Sequence, residues 1–252
     1  MTGNQRKKEI LEYLSESEFK TLKDITDKFK ISMNTARRDI DDLAKSGLVN
    51  KFYGGVSLVR TNDSSFDNRN SSHLAEKQRI ASFVATTIIE DGDLIYMDSG
   101  STTALLLDYI DPSYKLTIVT NNLHVIYKAM NNTNWSVIVV GSTLRHTSHS
   151  LINIQNLDYL NSLNLAKAMI ATTGLTIKSG ATNTDNSEAT IKSTMIKRCK
   201  NVYLLTDASK LGKTSLVTFA AIDEFDHIIT SGKVPQHMLD YLINSNIQLT
   251  IV

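Results

Sequence analysis

The stretch ISMNTARRDIDDL, residues 31–43, combines a helical apolar pattern with two adjacent arginines. Its apolar residues fall on one face of a helix, at Ala36, Ile40 and Leu43. Ser32 stands in the N-cap position. Arg37 and Arg38 therefore lie near the positive end of the helix dipole, from which they gain no stabilisation. A negative partner outside the chain would explain them.

Two shorter helical patterns precede this stretch, and a hairpin pattern follows it. Their apolar positions are Ile10, Tyr13 and Leu14 in the first and Leu22, Ile25 and Phe29 in the second. A tight turn separates the second helix from Ser32, as is typical of a helix-turn-helix. Gly54 and Gly55 then favour a hairpin turn within LVNKFYGGVSLV. Three helices and a hairpin predict a winged helix-turn-helix over residues 1–60.

The polar side chains of the third helix predict a DNA-reading surface. Asn pairs with adenine in the major groove, and Arg pairs with guanine or holds phosphate. The alternative is surface ion pairing of the two arginines with Asp41 and Asp42, four residues further on. The three-helix spacing, the N-cap and the hairpin favour DNA. We predict DNA contacts from the helix and the wing at Ser32, Asn34, Thr35, Arg37, Arg38, Lys51 and Tyr53.

Length and composition fit a small domain joined to a larger one. The 252 residues carry a net charge of +1, but residues 1–60 hold 12 Lys and Arg against 9 Asp and Glu, so the basic excess lies at one end. The single cysteine, Cys199, excludes an intramolecular disulfide. The start MTGNQRKKEI lacks the apolar core of a signal peptide, and no run approaches a membrane span. We expect a cytoplasmic protein without a membrane partner.

Beyond a polar linker predicted at residues 61–73, continuous apolar runs alternate with helical segments. The runs are LIYM at 94–97, LTIVT at 116–120, SVIVV at 136–140, AMIAT at 168–172, VYLLT at 202–206, HIIT at 227–230 and IQLTIV at 247–252. Strands that are apolar throughout are typical of a mostly parallel sheet covered on both faces. The sequence predicts an α/β domain over residues 74–252.

A hydroxyl-rich loop, DSGSTT at 98–103, joins the first of these strands to a predicted helix, ALLLDYI. Loop amides, hydroxyls and the helix dipole all favour negative charge, so one phosphate would fit there. The alternative is a tight turn in which Ser or Thr caps the helix. Polar residues follow other strands as well, and ligands of open parallel sheets bind beyond the carboxyl ends of the strands. The pattern favours a cleft for a small polar ligand.

These motifs resemble the deoxyribose-operon repressor (DeoR) family of bacterial regulators. Its T-x-R-R-D-x-x-x-L helix, which is followed by a G-G wing, is matched by Thr35, Arg37, Arg38, Asp39 and Leu43. Similar segments continue along nearly the whole chain: EKQRIA at 76–81, DSGSTT at 98–103, TNN at 120–122, GSTLR at 141–145, NTDNSEATIK at 183–192 and LLTDASKLGK at 204–213. The segments YGGV and TNNLHVI are most similar to those of repressors of inositol catabolism.

The resemblance implies that the second domain is similar in fold to sugar-phosphate isomerases and senses phosphorylated sugars. By carry-over, the phosphate would be held by Ser99, Gly100, Ser101, Thr102 and Thr103. The sugar would lie among Asp98, Asn121, Gly141, Arg145, Glu188, Lys192, Asp207 and Lys210. The chain departs from the family at Ser142 and near Asn153, where glycines are usual. Because asparagine tolerates left-handed backbone, we expect the loop at Asn153 to keep its shape.

We therefore expect a transcriptional repressor that binds operator DNA as a homo-oligomer, a dimer or tetramer, and that a phosphorylated sugar effector releases. No cofactor is implied. The alternative is an active sugar isomerase carrying a DNA-binding head, since Asp98, Glu188 or Asp207 could act as its base. A third alternative, a structural DNA-binding protein, would respond to no ligand.

Three other sequence patterns are not expected to form a nucleotide-binding, metal-binding or reactive site. LGKTS at 211–215 resembles a nucleotide-binding P-loop, but Asp207 stands where that loop needs a glycine. His146 and His149 have metal-like spacing without a third ligand nearby in sequence, so no metal site is expected. Cys199, in the predicted helix ATIKSTMIKRCK, is expected to pack rather than react.

Overall fold

In the computed structural model the chain divides into two compact units, Met1–Asp63 and Ser64–Val252. The structure describes residues 3–15, 20–46, 48–52, 55–58, 65–153, 157–245 and 247–252. Within those ranges, no helix combines the length and apolar character that a membrane crossing needs.

The first unit is the predicted winged helix. Its elements are α1 (Gly3–Ser15), α2 (Leu22–Phe29), α3 (Met33–Lys45), β1 (Val49–Phe52) and β2 (Gly55–Leu58). A capping box of Thr21 and Asp24 begins α2, and Lys30 ends it in the left-handed conformation at φ 53°. The apolar stripes of the three helices meet in one core with the hairpin, formed by Ile10, Leu14, Ile25, Ala36, Ile40, Leu43, Val49 and Val56.

The second unit contains seven further helices and twelve further strands among its described residues. The helices are α4 (Phe66–Ser71), α5 (Leu74–Thr87), α6 (Ser101–Ala104), α7 (Leu123–Ala129), α8 (Leu157–Ser162), α9 (Asn186–Ile196) and α10 (Gln236–Ile243). The strands are β3 (Leu94–Met97), β4 (Leu116–Thr120), β5 (Trp135–Val139), β6 (Thr143–Arg145), β7 (Ser150–Ile152), β8 (Leu165–Ala171), β9 (Gly174–Thr176), β10 (Gly180–Asn183), β11 (Cys199–Asp207), β12 (Val217–Ala220), β13 (His227–Ser231) and β14 (Gln248–Ile251).

Seven of these strands form one parallel sheet in the order β14-β13-β11-β8-β3-β4-β5. All seven coincide with the predicted apolar runs. Alternate side chains of a strand enter the two layers that cover the sheet: Tyr96 packs in one core cluster, whereas Ile95 and Met97 pack in the other. Helix α5 adds to the second cluster, and α9 and α10 add to the first. For the five inner strands, the continuous apolar character of the runs follows from burial on both faces.

The start of the second unit differs from the predicted linker. Of residues 61–73, those from Ser65 onwards are described, and they include helix α4. Phe66 is buried in the core, and the Ser65 hydroxyl caps the helix. The polar composition of the segment concealed this, because a single aromatic residue supplies the whole buried surface.

Two other local predictions differ from the structure. The predicted helix ALLLDYI is not a continuous helix: α6 ends at its first residue, Ala104, and a 3-10 turn follows at Leu106–Asp108. Leu105, Leu106 and Leu107 are all buried, so no single apolar face persists. Cys199 begins β11 instead of ending a helix, since α9 stops at Ile196.

Candidate functional site

A row of polar side chains covers the leading half of α3. Ser32 accepts a hydrogen bond from the Thr35 amide at 3.2 Å, which confirms it as the N-cap. Asn34, Arg37 and Arg38 are exposed, whereas the apolar face of the helix is buried. Three of the residues predicted to read DNA are therefore accessible on α3, with Arg37 in one groove and Asn34 and Arg38 in another.

The carboxylates of α3 form ion pairs with other elements of the unit. The pairs are Asp39 with Arg6, Asp41 with Lys51 and Asp42 with Lys7. Within the described part of the chain, Arg37 and Arg38 have no carboxylate at ion-pair distance. Close ion pairs with Asp41 and Asp42 therefore do not account for the two arginines, although the charge of Arg38 acts on Asp42 at longer range.

Asp39 joins α3 to α1. Its carboxylate accepts hydrogen bonds from Nε and Nη2 of Arg6 at 2.6 and 3.1 Å, and its side chain is 6% exposed. The pair fixes the orientation of α3 within the unit. Local pattern analysis missed it, because Arg6 and Asp39 are 33 residues apart.

The β1–β2 hairpin, the wing, lies beside Arg37 of α3. Arg37 and Lys51 line a groove of about 390 Å³ between α3 and the hairpin. Lys51 is exposed and pairs with Asp41, which ties β1 to α3. Tyr53 lies outside the described residues, so its phosphate contact stays a prediction.

The second candidate site lies where the strand order of the parallel sheet reverses. The chain passes from β3 to β4 on one side and from β8 to β11 on the other, so β3 and β8 flank the reversal. Ligands of open α/β sheets bind beyond the carboxyl ends of strands at such a point. Asp98, directly after β3, spans it by accepting a hydrogen bond from the Ala171 amide at 2.8 Å.

Asp98 positions the hydroxyl-rich loop. Its Oδ1 accepts hydrogen bonds from the Gly100 amide at 2.9 Å and the Thr103 hydroxyl at 2.7 Å, and its Oδ2 lies 2.7 Å from Lys192 Nζ. The side chain is fully buried. The sequence predicted Asp98 beside the sugar, but this carboxylate is already surrounded by protein donors.

The loop itself offers unused hydrogen-bond donors. The first helical bond of α6 runs from the Ala104 amide to the Gly100 carbonyl, so the amides of residues 101–103 have no partner within the helix. In the part of the chain that the structure describes, the hydroxyls of Ser99, Ser101 and Thr102 form no hydrogen bond. Because α6 is so short, amides and hydroxyls, rather than a helix dipole, would attract an anion.

Asn122 holds this loop from the next strand. Its amide donates to the carbonyls of Asp98 and Gly100 at 3.0 and 3.1 Å. Sequence analysis predicted a role for Asn121 instead. Asn121 is also buried, but its amide donates to the Leu151 carbonyl at 3.0 Å and so fastens the β6–β7 hairpin to the sheet.

Helix α9 brings Glu188 and Lys192 to the cleft one turn apart. Lys192 donates to the Ala171 carbonyl at 2.6 Å, in addition to its ion pair with Asp98. Glu188 accepts hydrogen bonds from the Ser150 hydroxyl at 2.7 Å and the Asn183 amide at 3.0 Å.

These contacts set the ionisation of Glu188. Burial by itself would raise its pKa, but the charge of Lys192 and the hydrogen bonds it accepts from Ser148, Ser150 and Asn183 outweigh burial, so the pKa of Glu188 lies below its ordinary value. A carboxylate with a lowered pKa is a weaker base, which disfavours Glu188 as the base of an isomerase.

Lys77 is a cleft residue that sequence analysis missed. It is 3% exposed, and its ammonium donates to the carbonyl of Arg69. Burial lowers the pKa of Lys77 to about 8, against the opposing effect of Asp207, and the charges of Lys210 and Arg69 lower it further. The burial of Lys77 could have been predicted from the sequence, because Lys77 lies on the same face of α5 as the buried residues Ile80, Ala81 and Val84.

Asp207 ends β11 and Lys210 lies three residues further on, and the charges of both act on Lys77. Asp207 caps the 3-10 turn Ala208–Lys210 by accepting hydrogen bonds from the amide of Ser209, at 3.0 Å, and from its hydroxyl. Burial lowers the pKa of Lys210, although the charge of Asp207 opposes it. Lys77, Asp207 and Lys210 thus form one cluster of interacting charges.

The β6–β7 hairpin adds Arg145 to this edge of the unit. Its guanidinium pairs with Asp185, the N-cap of α9. At the base of the hairpin, Gly141 has φ +93°, and a Cβ there would lie 2.6 Å from the Leu151 carbonyl oxygen. Asn153 adopts φ 58°, which confirms that this asparagine takes the left-handed backbone expected of it.

His149 takes part in an aromatic contact. Its Nδ1 lies 2.9 Å from Nε2 of His124, whose ring stacks on Phe66 with centroids 3.9 Å apart. No group of three or more metal-ligating His, Cys, Asp or Glu side chains is found among the described residues.

The two other sequence patterns also have structural roles. Leu211 to Ser215 lead into strand β12 instead of the helix that a P-loop requires. Burial raises the pKa of the Cys199 thiol to about 12, and its side chain packs against the core, as predicted.

Two family models match the chain. The DeoR-like helix-turn-helix domain matches residues 6–62, and the DeoR C terminal sensor domain matches residues 72–232. The HTH-type transcriptional regulator IolR of Bacillus subtilis (strain 168) is 37% identical over 237 residues, which are 94% of each chain. The glycerol-3-phosphate regulon repressor of Escherichia coli (strain K12) is 27% identical over 252 residues, which are 100% of each chain.

Solved structures give weaker likenesses. Ribose 5-phosphate isomerase A from Methanocaldococcus jannaschii has a TM-score of 0.41 at 14% identity and covers 56% of this chain and 55% of its own. The sorbitol operon regulator SorC from Klebsiella pneumoniae has a TM-score of 0.37 at 10% identity and covers 76% and 85%. Likenesses of this size carry no argument about function.

Proposed function

The chain belongs to the DeoR family of transcriptional regulators, and from this we propose that it represses a carbohydrate or polyol catabolic operon until a phosphorylated sugar intermediate releases it from operator DNA. It is a DNA-binding transcriptional regulator, as its winged helix and its regulator relatives both indicate. We propose, in addition, the kind of operon it controls, the class of its effector, and the residues that contact DNA and effector.

The observation that carries the effector proposal is the combination of free hydroxyls and buried cations at one sheet edge. Ser99, Ser101 and Thr102 are buried but form no hydrogen bond within the described residues. Lys77 is a buried cation whose charge interacts with that of Lys210. Neutral donors beside desolvated ammonium groups favour an acceptor that carries more than one negative charge, such as a phosphate monoester.

The contacts of the neighbouring side chains support the remaining proposed roles. The phosphate lies against residues 99–103, with Lys77 and Lys210 as counter-charges. Asp98 positions the loop and does not touch the sugar. The sugar site is formed by the other polar side chains around the phosphate, with Gly141 at the base of the hairpin: Asn121, Arg145, Glu188, Lys192 and Asp207.

On the DNA side, Asn34, Thr35, Arg37 and Arg38 enter the major groove from α3, and Ser32 and Lys51 contact phosphates. Support comes from the exposure of Asn34, Arg37 and Arg38 and from the absence of ion-pair partners for the two arginines within the described residues. Because operators are commonly repeated half-sites, we propose that the protein binds as a homo-oligomer. It would act in the cytoplasm, where the DNA of a bacterial cell lies.

A turnover assay tests the regulator against the isomerase. The protein is incubated with candidate sugar phosphates, and the mixture is analysed for isomerised product. The proposal predicts that an effector lowers operator affinity and is recovered unchanged. Product formation at a rate that a Glu188→Gln substitution abolishes would contradict it.

A further inference from the structure

Strand β5 forms one edge of the parallel sheet, since among the described residues it pairs only with β4. Two hydrogen bonds mark the ends of their ladder: the Leu116 amide donates to the Asn134 carbonyl at 3.3 Å, and the Val140 amide donates to the Thr120 carbonyl at 2.9 Å. Alternate residues of a strand turn their backbone groups to opposite sides. Every second residue from 134 to 140 therefore faces β4, and the residues between them face away from it.

The outward-facing residues of β5 are Trp135, Val137 and Val139. The Trp135 amide donates to the Asn132 carbonyl at 3.2 Å in the preceding turn. Within the part of the chain that the structure describes, the Trp135 carbonyl and both backbone groups of Val137 and Val139 have no hydrogen-bond partner. A row of unpaired backbone groups at a sheet edge is a template for another strand.

The β5 edge lacks the features that usually prevent such pairing. Exposed edge strands commonly carry lysine, proline or inward-pointing charges, but residues 129–144 contain no Asp, Glu, Lys, Arg or Pro. On the neighbouring helix α7, the ammonium of Lys128 is paired with Asp108. An uncharged surface can meet a copy of itself without like-charge repulsion.

Apolar side chains flank this edge. Val137 packs partly into the core cluster that α7 joins, so Val139, two residues further on, lies on the same face of the sheet, where it is 46% exposed. Met130, at the end of α7, is 75% exposed. It lies on the flank of the helix opposite Lys128, which reaches Asp108 on the side of β3, and is therefore directed towards the β5 edge.

We propose that β5 pairs antiparallel with β5 of a second copy of this chain, across a two-fold axis at Val137. The proposal rests on the homo-oligomer of the proposed function and identifies its interface. Because the outward-facing residues are symmetric about Val137, one register places the two Val137 residues opposite each other and Trp135 of each copy opposite Val139 of the other. The Val137 amides then donate to the Val137 carbonyls, and each Val139 amide donates to a Trp135 carbonyl. Such an interface is isologous and closes at two copies.

The mass of the full chain in solution, measured by analytical ultracentrifugation without DNA, tests this interface. Val139→Lys is expected to halve the mass of the wild-type oligomer, because it adds a cation at both ends of the paired strands. Ile251→Lys is the matched control: Ile251 is 51% exposed on β14, at the opposite edge of the same sheet, so this variant should keep the wild-type mass.

The outcomes separate the interface from the oligomer itself. A wild-type mass in Val139→Lys, or equal dissociation in Ile251→Lys, would overturn the β5 interface and leave the proposed homo-oligomer standing. A wild-type chain that is monomeric would overturn both.

Cysteine cross-linking tests the register without adding charge. Opposite residues of a hydrogen-bonded antiparallel pair have Cα atoms about 5.5 Å apart, which a disulfide can bridge. Val137→Cys in a Cys199→Ser background is expected to form a covalent dimer on oxidation, seen by non-reducing gel electrophoresis. Ile251→Cys in the same background is the control and should not cross-link. The absence of a covalent dimer in Val137→Cys, or an equal yield from Ile251→Cys, would contradict pairing about Val137.

Discussion

Arg37 and Arg38 stand at a position where the helix gives them no stabilisation. They lie in the second turn of α3, near the positive end of its dipole, and the acidic residues of the same helix are paired elsewhere. Two guanidinium groups kept exposed at such a position are available for an external anion or base edge. We propose that DNA is this partner.

Replacing Arg37 by Ala should weaken binding to the operator. The expected loss is about 1 to 3 kcal/mol, the size of one base or phosphate contact, and effector binding should not change. Fluorescence anisotropy at fixed salt measures it. Arg198→Ala, which removes one positive charge from the other unit, is the control for net charge. Wild-type operator affinity in Arg37→Ala would exclude Arg37 from the DNA contact.

Replacing Thr102 by Glu should abolish the response to effector while operator binding persists. Thr102 is 4% exposed and lies in the loop proposed to hold the phosphate, so a carboxylate there repels the ligand. Thr102→Val is the matched control, because it removes the hydroxyl without adding charge and should weaken the response less. A normal response in Thr102→Glu would locate the phosphate elsewhere.

Single residues differ in how much their role could be predicted from sequence. Ser32 was predictable, because an N-cap acts within one turn of its own helix. The left-handed backbone of Asn153 was predictable as well, because asparagine tolerates that conformation whatever its surroundings. The positioning role of Asp98 was not, since its partners at Ala171 and Lys192 come from distant parts of the chain.

At the scale of elements, a largely buried ion pair between Arg6 and Asp39 contributes to the packing of α1 against α3. Asp39→Ala should lower the free energy of unfolding of the winged helix by about 1.5 to 3 kcal/mol, because it leaves Arg6 without its charged partner. Chemical denaturation measures this. Asp42→Ala is the matched control: its pair with Lys7 is far more exposed, so a smaller loss is expected. Equal losses in the two variants would contradict a structural role for Asp39.

The stacked rings under α4 make the stability of the second unit sensitive to pH. Burial lowers the pKa of His124, and the charges of His149 and Lys128 outweigh the opposing effect of Asp67. The unfolded chain therefore takes up this proton at a higher pH than the folded chain. The free energy of unfolding should fall as the pH drops through the ordinary histidine value of 6.5.

Thermal unfolding between pH 7.5 and 5.5 checks this dependence. His124→Asn should reduce the slope, although not to zero, because burial also lowers the pKa of His227. His237→Asn, which changes an exposed histidine of α10, is the control. An unchanged slope in His124→Asn would show that protonation of His124 does not limit stability.

Elements were predictable to the extent that one local pattern specified them. The five inner strands of the parallel sheet are largely buried on both faces, which makes them continuous apolar runs in the sequence. The antiparallel strands β6, β7, β9, β10 and β12 were not predicted, because three or four residues of mixed polarity carry no such pattern. Helix α4 was not predicted either, since a single buried ring anchors it.

At the scale of the whole molecule, repression requires that effector and DNA binding influence each other. Linkage makes this reciprocal: an effector that lowers operator affinity by a given factor is itself bound more weakly, by the same factor, when DNA is present. The family and the general architecture could be predicted from the sequence because their motifs are contiguous. The interaction between the charges of Lys77 and Lys210 could not be predicted, because the two residues are distant in sequence and no local pattern links them.

The most direct test of the central claim is operator binding measured in the presence of candidate effectors. Purified protein is titrated onto DNA from its own upstream region at fixed salt, with a panel of phosphorylated sugars and polyols and their unphosphorylated counterparts. We predict that at least one phosphorylated compound lowers operator affinity and that its unphosphorylated counterpart does not. Sequence-specific binding that is indifferent to the whole panel would contradict a phosphate-sensing repressor.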